Sequence, residues 1–264
     1  LDKVCGELRF EEVSFEFEGQ RVLDELSFRV RPGEALGIVG GTGSGKSTVI
    51  NLLPRFYDPT HGRVSVDDVD VRQARLASLR AQIGIVHQEP FVFATSIREN
   101  IAYGRPGATD EQVEAAARAA QSHDFIVDLP NGHLTQVGER GVTLSGGQKQ
   151  RIAIGRALLL DPRILVLDES TSNVDTWTER AIQEALTEAQ RGRTTLIISQ
   201  RIRSVRTAAE IIVLEQGRIA QRGTHEELIE AAGLYREMWL TQETEAEDLR
   251  EAKAGGPDEQ RRGS

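Results

Sequence analysis

Three short stretches hold residue types from which phosphate chemistry is built. The first, "GGTGSGKS", runs from Gly40 to Ser47 and fits the spacing G-x-x-x-x-G-K-[ST]. Gly40, Gly41, Gly43 and Gly45, with Thr42 and Ser44 between them, let successive backbone N–H groups turn inward around phosphate oxygens. A helix opening at Lys46, Ser47 and Thr48 would add its positive N-terminal end. Lys46 would then reach the β and γ phosphates of a nucleoside triphosphate, and Ser47 would ligate Mg²⁺. The plain alternative, a glycine-rich turn that binds nothing, is disfavoured by context, because the buried-strand run "ALGIVG" leads into the loop. The second stretch, "ILVLDE", ends an apolar strand in Asp168, suited to the Mg²⁺ shell, and Glu169, suited to polarising a water for attack on the γ phosphate. Two adjacent carboxylates are weak evidence alone and strong evidence beside the glycine-rich loop. The third, "TTLIISQR", ends an apolar run in Ser199, Gln200 and Arg201, and leaves open whether Gln200 is an ordinary strand end or a reacting group.

These residues need a scaffold that brings distant strand ends together. The runs "ALGIVG", "IGIVHQ", "ILVLDE" and "TLIISQ" are continuously apolar, as strands buried on both faces of a parallel sheet are, and helical segments lie between them. Open sheets of this kind bind ligands beyond the carboxyl ends of their strands. Upstream, "LRFEEVSFEF" and "VLDELSFRV" alternate apolar and polar residues at Leu8, Phe10, Val13, Phe15 and Phe17, which predicts antiparallel strands. Between about 89 and 160 the pattern is helical, with Thr109 and Gln112 spaced as a capping box, and predicts a helical subdomain inserted into the sheet. A hairpin is expected at Gln216 and Gly217, followed by a helix at "THEELIEAAG" and a short one carrying Tyr235 and Trp239. The fold class is therefore α/β: a P-loop NTPase core with a mostly parallel sheet, an N-terminal antiparallel β subdomain and an inserted α-helical subdomain. Residues 1–241 form the expected domain, and 242–264, charged and interrupted by Gly-Gly-Pro, are expected to be a disordered tail.

Composition narrows the function classes. The chain has 264 residues, 39% of them hydrophobic and 28% charged, and no apolar run approaches the roughly 18 residues needed to cross a bilayer. A net charge of -9 provides no long-range attraction to nucleic acid or anionic lipid, so no nucleic-acid partner is expected. A single cysteine, Cys5, cannot form an internal disulfide, which fits a reducing compartment. The sequence opens on Leu1, and the expectation is a piece of something longer.

The stretch "LSGGQKQR" identifies a family resemblance. Ser145 and Gln148 have capping-box spacing around Gly146 and Gly147, so the helix start offers free N–H groups as a second anion site. Read alone it is a capped helix; as a sequence it closely resembles the signature motif of ABC-type ATPases, and the resemblance extends over roughly the first 240 residues. It implies ATP and Mg²⁺ as ligands, and two nucleotide-binding domains facing head to tail. Each ATP then lies between one domain's P-loop, Gly40 to Thr48 here, and the other's signature, Ser145 to Gln148 here. By the same resemblance Gln88 in "VHQEP" touches Mg²⁺ or water and senses a membrane domain, and Asp175 in "SNVD" crosses the dimer interface. Phe17 falls where the family stacks an aromatic ring on adenine, with core packing on its strand as the alternative.

"ATSIRENIAYG" and "VGERGVTLSGGQ" resemble exporters whose ATPase domain is fused behind a membrane domain. That implies a membrane domain upstream of Leu1 and a location at the cytoplasmic face of a membrane. In the family the strand written "TTLIISQR" ends in a histidine that contacts the γ phosphate; Gln200 stands there in this chain. Glutamine still donates a hydrogen bond but cannot become cationic or pass a proton. Loss of such a group costs about 10²- to 10⁴-fold in rate. "QRI" and "STSNVD" resemble the noncanonical half of heterodimeric exporters, although that half usually lacks the glutamate present here as Glu169. Three functions compete: a transport ATPase, a nucleotide-gated clamp with negligible hydrolysis at its own site, and a soluble family member acting on DNA or the ribosome. The acidic balance and the exporter-like "GERG" weigh against the third.

Overall fold

The computed structural model describes residues 4–138, 141–169 and 176–254, with the side chains of Glu169, Thr176 and 248–254 outside the description. Its strands are β1 (Leu8–Phe17), β2 (Gln20–Val30), β3 (Ala35–Val39), β4 (His61–Val66), β5 (Val69–Asp70), β6 (Ile83–Val86), β7 (Ile164–Glu169), β8 (Thr194–Ser199), β9 (Glu210–Glu215) and β10 (Arg218–Gly223). Its helices are α1 (Lys46–Leu52), α2 (Leu76–Arg80), α3 (Ile97–Ala102), α4 (Asp110–Ala119), α5 (His123–Val127), α6 (Gly146–Leu160), α7 (Thr176–Gln190), α8 (Ile202–Val205), α9 (His225–Glu230) and α10 (Leu234–Ala254).

Two sheets pack on one core. The order β2-β1-β4-β5 makes a four-stranded antiparallel sheet, and β10-β9-β3-β8-β7-β6 a six-stranded one in which only β10 runs antiparallel to its neighbour. Alternation on β1 slips between Phe10 and Val13, where the sequence spaces its apolar residues by three; Glu12 takes φ 48 there and the register with β2 shifts. This bulge returns Val13 and Phe15 to the core face. Leu8, Phe10 and Phe28 from the antiparallel sheet meet Leu36, Ile38, Val166 and Ile198 from the parallel one. On the far face Val39, Leu165, Leu167 and Ile197 pack against α6, α7, α8 and Tyr235.

Between β6 and β7 the named elements of the described residues are helical, α3 to α6, around Ile97, Ile101, Val113, Ile126 and Ile152. Ser96, Thr109 and Ser145 each close a capping box at a helix start. Helix α6 serves two cores, since Ile154 and Ala157 face the parallel sheet while Ile152 and Leu159 face the other helices. The hairpin turns at Gln216 and Gly217, with φ 48 and 79, the mirror-image turn that suits right-twisted strands.

One boundary moves. Residues 242–254 continue helix α10 rather than forming the expected disordered tail. The segment is charged, but apart from Thr244 and Asp248 it is built from Glu, Ala, Leu, Arg, Lys and Gln, without glycine or proline before Gly255, so its helix propensity prevails; the rest of the expected tail, 255–264, lies outside the described residues. Among the described residues no helix is long and apolar enough to cross a membrane.

Candidate functional site

Register aligns the strands that carry the chemistry. Val39 of β3 pairs with Ser199 of β8, and β7 runs beside β8 with Asp168 opposite Ile198 and Glu169 opposite Ser199. Val86, which ends β6, lies beside Leu167. Gly40, Gln88, Asp168 and Gln200 therefore emerge at the carboxyl edge of one parallel sheet. Gln88, Asp168 and Gln200 meet the phosphate loop around a cavity of about 260 Å³, whose lining includes Thr42, Lys46 and Ser47 but not Gly40, Gly41 or Ser44. Gly43, Gly45 and Thr48 complete the loop side, and Val22 of β2 supplies an apolar wall that sequence reading missed.

Glycine is a steric requirement at two places in this loop. A Cβ on Gly40 would stand 2.3 Å from the Leu214 carbonyl oxygen. Gly45 has φ 106, and a Cβ there would meet Leu23 Cδ2 at 2.6 Å. The loop is braced from outside: the Gly217 N–H donates to the Ser44 carbonyl at 3.2 Å, and the Asp24 N–H to the Gly217 carbonyl at 3.0 Å. Gly217 is legible as a turn residue, but its bond to the loop joins positions too far apart for periodicity to show.

Inside, Lys46 Nζ donates to the carbonyls of Gly40 and Gly41, both at 2.7 Å. Burial pushes its pKa down, and Asp168 opposes this. Burial likewise pushes the Asp168 carboxyl up, against the pull of His87 and Lys46; His87 Nδ1 lies 4.0 Å from Asp168 Oδ2. A cation at this carboxylate would relieve that burial penalty. The Ser47 hydroxyl, the Gln88 amide oxygen and Asp168 are hard oxygen donors lining one cavity, a set that fits Mg²⁺ held by few protein ligands together with phosphates. Gln200 Nε2 reaches Thr42 Oγ1 at 3.5 Å, a long contact across the same space.

The remaining expected residues divide. Ser145 and Gly146 are exposed at the start of α6, with the Ser145 side chain accepting from the Gln148 N–H and the Gln148 side chain from the Ser145 N–H; none of them lines the cavity. Phe17 is 48% exposed and edge-on to Tyr57, so it is not packed into the core as its neighbour Phe15 is. Glu169 is described only in its backbone, and Asp175 lies outside the described residues.

The family model for "ABC transporter" matches residues 23–172. The chain belongs to the ABC transporter family. It is 50% identical to the "ABC transporter B family member 19" of Arabidopsis thaliana over 92% of this chain and 20% of that one. Identity to the "ATP-dependent lipid A-core flippase" of Chromohalobacter salexigens is 49%, over 93% of this chain and 43% of that one. A solved bacterial Atm1-family ABC exporter with ATP bound superposes with a TM-score of 0.84 at 45% identity, covering 90% of this chain and 42% of that one. The ABC domain described here thus spans less than half the length of these relatives.

Proposed function

We propose that this chain binds MgATP at the β3–β6–β7–β8 edge and hydrolyses it to drive export through a membrane domain. One observation carries the reading: Lys46, Gln88, Asp168 and Gln200, far apart in sequence, converge on a single cavity with the phosphate loop. Backbone amides of Gly41 to Ser47 would hold the phosphates, and Lys46 would exchange its two loop carbonyls for β and γ oxygens. Ser47, Gln88 and Asp168 would hold Mg²⁺, whose charge offsets that building up on the γ phosphate. Glu169 would orient the attacking water, and the Gln200 amide would donate to the γ phosphate. Phe17, exposed and anchored by Tyr57, is available to stack on adenine.

The cavity is open, and the signature residues of the same chain stand apart from it, which supports a head-to-tail dimer. Ser145 to Gln148 would close over the ATP of a second nucleotide-binding domain, with Asp175 between the sites. Partner choice follows from Gln200: a site without the switch histidine suits a heterodimer whose other half hydrolyses faster. Toward the membrane domain the chain offers an aromatic platform just after Gln88. Phe91 and Tyr103 are 69% and 59% exposed, and Arg156 lies over the rings of Phe93 and Tyr103. That domain, fused upstream, would hold the chain at the cytoplasmic face. The domain unit has its helical part at 89–160 and runs past 241 to take in α10.

Gln200 also favours a second reading, a nucleotide-gated clamp that dimerises on ATP and leaves hydrolysis to its partner. Single-turnover hydrolysis in the assembled transporter, with each site disabled in turn, separates the two. Measurable turnover at this chain's site, abolished by Glu169→Gln, supports the ATPase. Nucleotide-dependent dimers with no turnover at that site support the clamp.

A further inference from the structure

Helix α10 reaches the strand end that carries Gln200. Tyr235 is fully buried at its start, its N–H donating to Gln221 Oε1 at 2.9 Å and its hydroxyl 2.8 Å from His225 Nδ1. Trp239 packs edge-on against His225. Two turns after Tyr235, on the same face, comes Gln242. Its Oε1 accepts from the Ile202 N–H at 3.0 Å, and its Nε2 donates to the Gln200 carbonyl at 2.8 Å. One side-chain amide therefore spans the backbone on both sides of Arg201. Beside it Arg203 pairs with Glu243 at 2.6 Å.

The bridge meets a local need. Helix α8 starts after Arg201, whose side chain has no acceptor and makes no capping hydrogen bond. The first amide of α8 takes its acceptor from α10 instead, and the last carbonyl before the turn takes its donor from the same group. The turn's other side is closed within the loop, where the Arg201 N–H donates to Ser199 Oγ at 2.9 Å. With both sides fixed, the Gln200 side chain leaves toward Thr42 of the phosphate loop.

We propose that Gln242 is a positioning residue for Gln200, so that the C-terminal helix sets the geometry of the γ-phosphate contact and is part of the hydrolytic machinery. The inference rests on the ATPase reading above. It makes the docking of α10 a control on hydrolysis that acts without touching nucleotide.

The test is a double-mutant cycle in the full-length protein assembled with its partner, with the other composite site disabled. Single-turnover ATP hydrolysis and backbone hydrogen exchange at Ile202 are both measured. Gln242→Ala should slow hydrolysis about 10-fold, within the range for a displaced reacting group, while ATP affinity changes less than about twofold. In a Gln200→Ala background the same substitution should change the rate by less than about twofold, because its effect passes through Gln200. Ile202 exchange should accelerate in Gln242→Ala and stay protected in Gln242→Glu, which keeps the acceptor but loses the donor to the Gln200 carbonyl. Gln242→Glu should also slow hydrolysis, and it serves if the alanine variant fails to fold. An equal loss in both Gln200 backgrounds would show a merely structural role and overturn the proposal, as would unchanged Ile202 exchange in Gln242→Ala. Turnover that depends on Gln200 but ignores Gln242 overturns the inference and leaves the ATPase reading standing. No turnover in the unmodified assembly overturns both.

Discussion

Replacing Gln200 by histidine tests the chemistry of the site most directly. The Gln200 amide lines the cavity and lies 3.5 Å from Thr42 Oγ1 in the phosphate loop, so under the proposed function a side chain there would face the γ phosphate. Gln200 already supplies a neutral donor, so the gain comes from charge rather than from a new contact. A hydrogen bond to a neutral group contributes about 0.5–1.5 kcal/mol and one to a charged group about 1.5–3. The difference, about 1–1.5 kcal/mol, corresponds to roughly a tenfold rise in rate. The larger factors quoted for losing a proton-handling group apply only if the introduced imidazole also moves a proton. The assay is single-turnover hydrolysis at this chain's site, measured from about pH 5.5 to 9. Histidine is cationic below its pKa of about 6.5, which nearby phosphate charge would raise. The gain should therefore be full at low pH and fade as pH rises through that pKa, whereas Gln200 itself adds no titration. A folded Gln200→His protein that binds ATP normally yet hydrolyses no faster at any pH would refute the charge argument and the idea that this site is slowed by its glutamine.

Lys46→Ala removes the ammonium poised between the Gly40 and Gly41 carbonyls and should abolish tight MgATP binding; unchanged affinity by equilibrium titration would contradict the phosphate-loop assignment. Phe17→Ala should weaken ATP and ADP alike, because stacking on adenine does not involve the γ phosphate, and a loss confined to ATP would point to an indirect effect. Gly217→Ala places a Cβ 2.4 Å from the Val22 carbonyl oxygen at φ 79, which should cost about 1–3 kcal/mol; a lowered melting midpoint together with weaker nucleotide binding is expected.

The parts of the fold that can be read from sequence are those whose signals are local. A buried strand, a glycine loop and a helix start adjoin one another around Gly40, and the capping box at Ser145 and Gln148 lies within one turn. The β4–β5 hairpin is harder to see because its turn is made by Asp67 and Asp68, both at positive φ, rather than by glycine. Aspartate tolerates that conformation but announces it weakly. Gln242 is hidden in a charged segment that reads as disorder, although its position two turns after the buried Tyr235 is a usable sign. Val22 and the Gly217 brace depend on contacts between the two sheets, and no periodicity within a single segment reports those.

The brace at Gly217 also divides stiffness unevenly around the cavity. Through Ser44 and Asp24 the phosphate loop is tied to a hairpin of the parallel sheet and to β2 of the antiparallel sheet, and Arg218 pairs with Asp24 across the same junction. Displacing that wall would require both sheets to shear together. Gln88 forms the opposite wall, exposed and without a hydrogen bond among the described residues, close in sequence to the protruding ring of Phe91. A force applied at Phe91, whose carbonyl accepts from Arg156 of α6, would thus shift the Gln88 side more readily than the phosphate loop. The phosphate loop would act as a fixed anvil against which that side moves.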